Sequence, residues 1–261
     1  MAKFISPSSI DSYLSGIIFK LRQQYPRVTE IRNSDHIRLV LRGVKRRHGR
    51  PTSRKAPITF KQLEHLFSLF PSASYDDRLF LAVISTAFFG LLRLGEVTDS
   101  NDSRLRDRRK TTRRDSLEIT AEYASFILPA SKTDKFFAGN QVLLRHNNRA
   151  NDPVNALSAY VTLRDRLFPD VPWLWLTSQG CPPTRRWFLA RFHLHFDAQF
   201  GGHSMRAGGA TLLAQHGVPF EIIQAIGRWS SETFRIYIRT HPTLLLPATP
   251  HAQPHAQPTQ S

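Results

Sequence analysis

The pattern of apolar residues changes once along this chain, and that change limits the fold class. Between positions 116 and 146, three short segments, "SLEITAEY", "SFILPASK" and "QVLLRH", are rich in Ile, Val and Leu and are separated by turn residues. Such runs are typical of strands joined by turns. Elsewhere the apolar residues recur at three- and four-residue spacing, which is typical of helices. We therefore predict a mainly α fold that contains one small antiparallel β-sheet.

The first fifty residues are predicted to form a helical module. Apolar residues recur at helical spacing from Ile10 to Ile18, with Ser9 or Asp11 as the N-cap, and "SDHIRLVLRGVKRR" predicts another helix. Two such helices bury little apolar area alone, so we expect residues 1–50 either to pack against another element or to be part of a longer helical domain. Residues 51–57 are basic and poor in helix formers, and we interpret them as a linker.

The main domain is predicted over residues 58–241. It begins with "ITFKQLEHLFSLF", a helix that Thr59 caps, and a further helix starts near Asp76. Helical patterning resumes after Pro153, beyond the strand-like segments. The chain ends in a repeat of Pro, Gln and His that cannot build a core, so we expect residues 242–261 to be disordered.

The net charge indicates the class of partner. Lys and Arg number 36 against 20 Asp and Glu, which gives a net charge of +16. A surplus of this size favours a polyanion, and nucleic acid is the leading candidate. Cys181 is the single cysteine, which excludes an internal disulfide and a cysteine-built zinc site and fits a reducing compartment. The longest apolar run, "LFLAVISTAFFGLL", is too short to cross a bilayer, so we expect no membrane association.

Arg93 follows this apolar run, where a guanidinium is costly to bury without an anionic partner. Glu96 lies three residues on and can pair with Arg93 along a helix. The two residues are either a structural ion pair or a phosphate clamp in which Glu96 fixes the rotamer of Arg93.

Further polar groups allow the same two kinds of interpretation. Lys132 is predicted in a turn after the second strand, where most lysines are merely solvated, and Lys135 fits the same position. His203 and Arg206 lie one helical turn apart, at a predicted helix N-terminus that favours an anion. A core histidine beside a surface arginine is the plainer interpretation of that pair.

The segment "LLAQHGVPFEIIQAIGRW" has the outline of a helix-turn-helix, with Gly217 ending one helix and Pro219 starting the next. A DNA-reading motif of this type needs no nucleophile. In that interpretation Tyr237 is simply a half-buried aromatic residue of the last helix.

Taken in order, an Arg with a Glu three residues later, a turn Lys, the "HSMR" pair and a "GRWSS" before Tyr237 resemble the tyrosine recombinases, also called the phage-integrase family. The resemblance covers about residues 57–240 as the catalytic domain. Residues 1–50 are similar to the last part of the family's helical, SAM-like core-binding domain. The "GRWSS…YIR" ending is most similar to recombinases of eukaryotic mobile elements such as Cryptons.

The resemblance implies a role for each matched residue. The first-box arginine is Arg93 with Glu96 as its acidic companion, the hairpin lysine is Lys132, the second-box pair is His203 and Arg206, and the nucleophile is Tyr237. It also implies cleavage and rejoining of double-stranded DNA through a 3′-phosphotyrosine, by a tetramer that assembles on DNA, with neither a metal nor another cofactor.

One position departs from the family pattern. The family usually has His or Trp in the third box, and an ungapped count back from Tyr237 places Arg228 there. Trp229 fills the role if the register shifts by one residue, and we favour Trp229, with Arg228 as a DNA contact. The alternative is that Arg228 donates the hydrogen bond itself.

Two basic segments are predicted to contact DNA phosphates, which makes affinity fall steeply with salt. The first consists of Lys45, Arg46 and Arg47, beside the linker. The second is "RLRDRRKTTRR", with Arg104, Arg106, Arg108, Arg109, Lys110, Arg113 and Arg114. A solvated loop is the alternative interpretation of either segment.

The leading hypothesis is therefore an active site-specific recombinase or integrase. The alternative is a DNA-binding protein without activity, either a degenerate recombinase or a helix-turn-helix reader. A type IB topoisomerase is less favoured because the chain is short and has the core-binding module. We expect the nucleus as the location in a eukaryotic host and the cytoplasm otherwise.

Overall fold

The chain divides into two compact units, Met1–Arg54 and Lys55–Ser261, and helices are the main regular structure described in both. The computed structural model describes residues 5–49, 54–129, 139–230 and Arg235. In the first unit the helices are α1 (Pro7–Leu21), α2 (Val28–Asn33) and α3 (Asp35–His48). In the second unit they are α4 (Phe60–Ser68), α5 (Tyr75–Phe89), α6 (Leu94–Val97), α7 (Pro153–Leu167), α8 (Arg185–Phe192), α9 (Ser204–Gln215) and α10 (Phe220–Gly227).

The first unit corrects the sequence prediction at two places. α1 begins at Pro7, directly after Ser6, so the expected caps Ser9 and Asp11 lie inside the helix. Proline suits a first turn because the missing N–H has no helical acceptor there. The short α2 was not predicted. Asp11 links all three helices, because its carboxylate accepts from Arg32 of α2 at 2.8 Å and from Lys45 of α3.

The apolar α5 is the centre of the second unit. Ser74 caps it by accepting from the backbone N–H of Asp77, and the residues from Leu79 to Phe88 are buried. A helix that is apolar on all sides must be enclosed by other elements, and α5 packs against α7 and α9. Thr59 caps α4, as the sequence predicted, and the structure adds a capping box with Gln62.

The predicted antiparallel sheet is confirmed. It has the order β1 (Glu118–Ile119), β2 (Tyr123–Leu128) and β3 (Asn140–Arg145). Phe126 of β2 pairs with Val142 of β3, and both are buried, while Leu143 between the buried positions of β3 is exposed. This alternation is that of a sheet with one face on the core.

The C-terminal part of the second unit also follows the predicted outline. α9 ends before Gly217, whose φ of 74° allows the turn, and α10 starts after Pro219. Within the described parts of the chain, no helix is both long enough and apolar enough to span a membrane.

Candidate functional site

Arg93 and Glu96 form the ion pair that their spacing predicts, at the turn that follows α5. Arg93 precedes the first residue of α6, and its Nη1 donates to Glu96 Oε1 at 2.9 Å. Glu96 Oε2 also accepts from the backbone N–H of Arg93 at 2.9 Å. The Glu96 side chain is 6% exposed and that of Arg93 is 23% exposed. Glu96 therefore fixes both the backbone and the side chain of an arginine that still reaches solvent.

Two glycines allow α9 to place Arg206 close to the turn that follows α5. A β-carbon on Gly208 would overlap the carbonyl of Ile58, and one on Gly209 would overlap the carbonyl of Phe88. Because neither glycine has a β-carbon, α9 can approach α5 closely. Arg206, which precedes them in α9, is 2% exposed and donates to the carbonyls of Leu91 and Gly227.

The indole ring of Trp229 packs against the guanidinium of Arg206. The guanidinium carbon of Arg206 lies 3.9 Å from the centre of the Trp229 ring, which is a cation–π contact. Trp229 also packs beside the buried side chains of Leu91 and Ile223. The indole therefore fixes the plane of the Arg206 guanidinium.

Arg228 turns back into the site because its backbone is left-handed, with φ of 54° and ψ of 44°. Its Nη2 lies 3.4 Å from Glu96 Oε2 and 3.3 Å from the Leu91 carbonyl oxygen. The side chain is 9% exposed. Burial lowers the pKa of the Arg228 guanidinium, while the nearby Glu96 carboxylate acts in the opposite direction. Arg93 and Arg228 thus share one carboxylate.

His203 lies at the exposed rim, immediately before the first residue of α9. Burial of its ring, and then the positive charges of Arg185, Arg206 and Arg93, lower the pKa of His203 below its usual 6.5. The imidazole is therefore neutral at neutral pH and can accept a proton. The same charges show that three arginines lie near His203.

Arg185 is a member of this group that the sequence analysis missed. It is the first residue of α8, after the capping residue Thr184. Its backbone N–H donates to the Asp99 carbonyl at 3.0 Å, which attaches the start of α8 to the segment after α6. A basic residue at a helix N-terminus opposes the helix dipole. That unfavourable placement is the sequence signal that could have identified Arg185.

The structure therefore brings together six of the predicted residues: Arg93, Glu96, His203, Arg206, Arg228 and Trp229. Lys132 and Tyr237, with the alternative Lys135, lie outside the described residues. Lys45, Arg46 and Arg47 belong to α3 of the first unit, where Lys45 is paired with Asp11.

The basic segment 104–114 is not a bare positive loop. It forms short 3₁₀ turns, and most of its arginines pair with aspartates: Arg104 with Asp102, Arg108 with Asp99, Arg109 with Asp107, Arg113 with Asp115 and Arg114 with Asp165. The neighbouring arginines lower the pKa of the carboxyls of Asp102, Asp107 and Asp115. Arg106 has no ion pair with any residue in the described ranges, and its Nε donates to the Ser100 carbonyl at 3.0 Å.

The exposed side of α10 does not suit a DNA-reading helix. Phe220, Ile222 and Ile226 are its exposed large side chains. Base edges in the major groove are read mainly by Arg, Lys, Asn and Gln, and the side-chain amide of Gln224 donates to the Trp229 carbonyl. The two helices have the outline of a helix-turn-helix without its reading side chains.

Known structures with a similar fold are DNA recombinases. The chain is similar to the XerA recombinase, with a TM-score of 0.53 and 16% identity over 92% of this chain and 81% of that one. It is also similar to the XerH site-specific recombinase in a post-cleavage complex with a palindromic difH substrate, with a TM-score of 0.53 and 16% identity over 74% of this chain and 52% of XerH. A variant of the Tn1549 transposon integrase in complex with a circular intermediate DNA gives a TM-score of 0.52 and 13% identity, over 90% of this chain and 81% of that one.

No protein-family model and no curated protein sequence matches the chain. At 13–16% identity, the likeness to the solved structures is a likeness of fold. The chain has the tyrosine recombinase fold, as the resemblance of its sequence motifs predicted.

Proposed function

We propose that this chain is a DNA strand transferase of the tyrosine recombinase type, which cuts and rejoins double-stranded DNA through a 3′-phosphotyrosine. The observation that carries the proposal is the sharing of Glu96 by Arg93 and Arg228. Two largely buried guanidiniums and one carboxylate leave a surplus positive charge, and a buried charge requires a partner. A phosphodiester carries two anionic non-bridging oxygens, which suit the paired N–H donors of arginine.

The reaction divides among the residues as follows. The phenolic oxygen of Tyr237 attacks phosphorus and forms a new P–O bond, while the bond to the 5′ oxygen breaks. His203, with its lowered pKa, accepts the phenol proton directly or through water. Lys132 supplies a proton to the departing 5′ oxygen. The phosphoester bond is retained in the adduct, so a 5′-hydroxyl can reverse the reaction or join another strand.

The arginines stabilise the negative charge that develops on the phosphate. The non-bridging oxygens gain negative charge in the transition state, and fixed donors stabilise such charge most effectively. Glu96 holds Arg93 in one orientation and Trp229 stacks against Arg206, so both guanidiniums are oriented before substrate binds. Preorganisation of this kind is what an active site requires.

The wider assignments are part of the same proposal. The XerH and Tn1549 structures contain DNA, which supports double-stranded DNA as the partner. We infer assembly as a tetramer on DNA, a mobile-element origin similar to the Cryptons, and a nuclear location in a eukaryotic host. The domain limits that we propose are a core-binding module over residues 1–50, a linker over 51–57, a catalytic domain over 58–241 and a tail over 242–261.

A trapping experiment tests the proposal. Nicked duplexes tiled across the DNA that flanks the gene, labelled at the 5′ end of the cut strand, are incubated with wild type, Tyr237→Phe or Arg206→Ala, and resolved on a denaturing gel. The nick lets the short 5′-hydroxyl fragment diffuse away, so the adduct accumulates. We expect an adduct with wild type, none with Tyr237→Phe, and a loss of about 10²–10³-fold with Arg206→Ala.

The same experiment distinguishes strand transfer from the alternative function, DNA binding without activity. If wild type binds one of these duplexes tightly and forms no adduct, the chain is a DNA-binding protein without strand-transfer activity. Retention of the adduct by Tyr237→Phe would mean that a different residue is the nucleophile.

A further inference from the structure

Arg228 occupies a backbone conformation that an arginine rarely adopts. It is the C-cap of α10 in the left-handed region, where glycine is the usual residue. Leu91, whose carbonyl faces the Arg228 guanidinium, is also left-handed, with φ of 49°. Non-glycine residues held in this region cluster at functional sites. Two of them therefore meet in the candidate site.

The guanidinium of Arg228 is buried and incompletely satisfied. Its Nη1 donates to the Ile226 carbonyl at 2.8 Å, but the distance from Nη2 to Glu96 Oε2 is 3.4 Å. The Nε atom is buried, and no residue that the structure describes accepts a hydrogen bond from it. Glu96 makes its shorter contacts, at 2.9 Å, with Arg93. A buried cation with a spare donor indicates a missing anion.

Arg228 also shares one acceptor with Arg206 and another with Arg93. The Leu91 carbonyl accepts from both Arg206 and Arg228, and the Glu96 carboxylate binds both Arg93 and Arg228. An anion that contacts Arg93 and Arg206 is therefore close to the third guanidinium.

Trp229 is engaged differently. Its ring faces the guanidinium of Arg206, and its backbone carbonyl accepts from Gln224 at 3.1 Å. These contacts make Trp229 a positioning residue for Arg206. Arg228 is the member of the pair with an unused donor.

We propose that Arg228 binds the scissile phosphate directly, as a third guanidinium in the place where a neutral His or Trp ring is expected. The proposal rests on the proposed strand transfer. It reverses the preference for Trp229 that the sequence pattern suggested. A cationic donor at this position is attracted by the negative charge of the transition state, whereas a neutral ring would contribute only a hydrogen bond.

This difference in charge provides the test. A methylphosphonate at the scissile position replaces one charged non-bridging oxygen by a neutral methyl group, so an arginine that neutralises that oxygen loses its advantage. Adduct formation is measured on the phosphodiester and on each methylphosphonate diastereomer, in the nicked duplex that wild type cleaves. The variants are Arg228→Gly, Arg228→Lys and Trp229→Phe, with Arg186→Gln as a control at an exposed arginine of α8.

We expect Arg228→Gly to lose on the order of 10²-fold on the phosphodiester and far less on one methylphosphonate diastereomer. Arg228→Lys should recover part of the loss, because it keeps the charge. Arg228→Gly should melt no lower than wild type, since glycine suits the left-handed position. Trp229→Phe should lose less than Arg228→Gly on the phosphodiester, because the phenyl ring keeps an aromatic face against Arg206, and Arg186→Gln should behave as wild type.

Equal losses of Arg228→Gly on all three substrates, or no loss, would overturn the proposal. So would a greater loss on the phosphodiester in Trp229→Phe than in Arg228→Gly. If Arg228→Gly does not fold, Arg228→Asn takes its place in the same comparison, because asparagine also adopts the left-handed conformation and carries no charge. If wild type forms no adduct, both the proposed function and this inference are wrong. If wild type forms the adduct and substitution of Arg228 does not change its rate, only this inference is wrong.

Discussion

Gly209 of α9 lies so close to the carbonyl oxygen of Phe88 in α5 that no β-carbon fits between the two residues. The contact sets how closely α9 approaches the end of α5. Arg206 lies one turn earlier in α9, and its reach to the Leu91 carbonyl depends on that approach. A packing requirement inside the core thus controls the position of a guanidinium in the candidate site.

The first prediction concerns this glycine. We expect Gly209→Ala to lower the free energy of unfolding by about 1–3 kcal/mol, because the added methyl group forces the backbone of α9 or α5 to move. Gly95→Ala is the matched control, since a β-carbon on Gly95 in α6 has no neighbour within 4 Å. The control should stay within about 0.5 kcal/mol of wild type. Urea denaturation measures both, and equal stability of the two variants would contradict the packing argument.

The second prediction concerns the pKa of His203. Arg185→Gln removes one of the positive charges that lower this pKa, so the pKa should rise, yet stay below 6.5 because burial still acts. Arg186→Gln, one residue along α8, should leave it unchanged. NMR titration of the imidazole measures the shift. An unchanged pKa in Arg185→Gln would show that Arg185 is not part of the site.

The pH dependence of activity and stability follows from the same shift. If His203 accepts the Tyr237 proton, adduct formation should fall as the pH drops through the folded-state pKa of His203, and the fall should come at a higher pH in Arg185→Gln. The folded-state pKa lies below the ordinary 6.5, so the unfolded chain protonates first. His203 therefore lowers the stability of the fold as the pH decreases from 6.5 towards its folded-state pKa.

The third prediction distinguishes two arginines of the basic segment. Arg106→Gln should weaken DNA binding and reduce the slope of log affinity against log salt by about 1, with unchanged stability, because Arg106 makes no ion pair with any described residue. Arg114→Gln should cost about 1 kcal/mol or less of stability, since Arg114 binds the partly exposed Asp165 of α7. Its effect on the salt slope should be small.

Fluorescence anisotropy with a labelled duplex at several salt concentrations, combined with urea denaturation, measures both effects. Wild-type affinity and salt slope in Arg106→Gln, together with a reduced slope in Arg114→Gln, would show that the ion pairs do not decide which arginines reach DNA.

Local chemistry explains what the sequence could predict. The sheet follows from short segments rich in Ile, Val and Leu between turn residues, the start of α4 from Thr59 as its cap, and the Arg93–Glu96 pair from three-residue spacing. The pairs Arg104 with Asp102 and Arg109 with Asp107 are also local, and two-residue spacing to an aspartate could have predicted them.

The features that were missed depend on contacts between distant segments or on the backbone. Arg185 joins the site because residues 99 and 184 pair as an isolated bridge, which no local pattern encodes. The inward direction of Arg228 results from a left-handed backbone that few non-glycine residues adopt. Sequence spacing alone therefore could not decide between Arg228 and Trp229.

The most direct test of the central claim is identification of the amino acid that becomes bonded to DNA. The adduct that wild type forms on a nicked duplex is digested with protease and nuclease, and the modified peptide is sequenced by mass spectrometry. The account predicts a nucleotide 3′-phosphate on the phenolic oxygen of Tyr237. A phosphate bonded to any other residue, or tight DNA binding with no adduct at all, would contradict it.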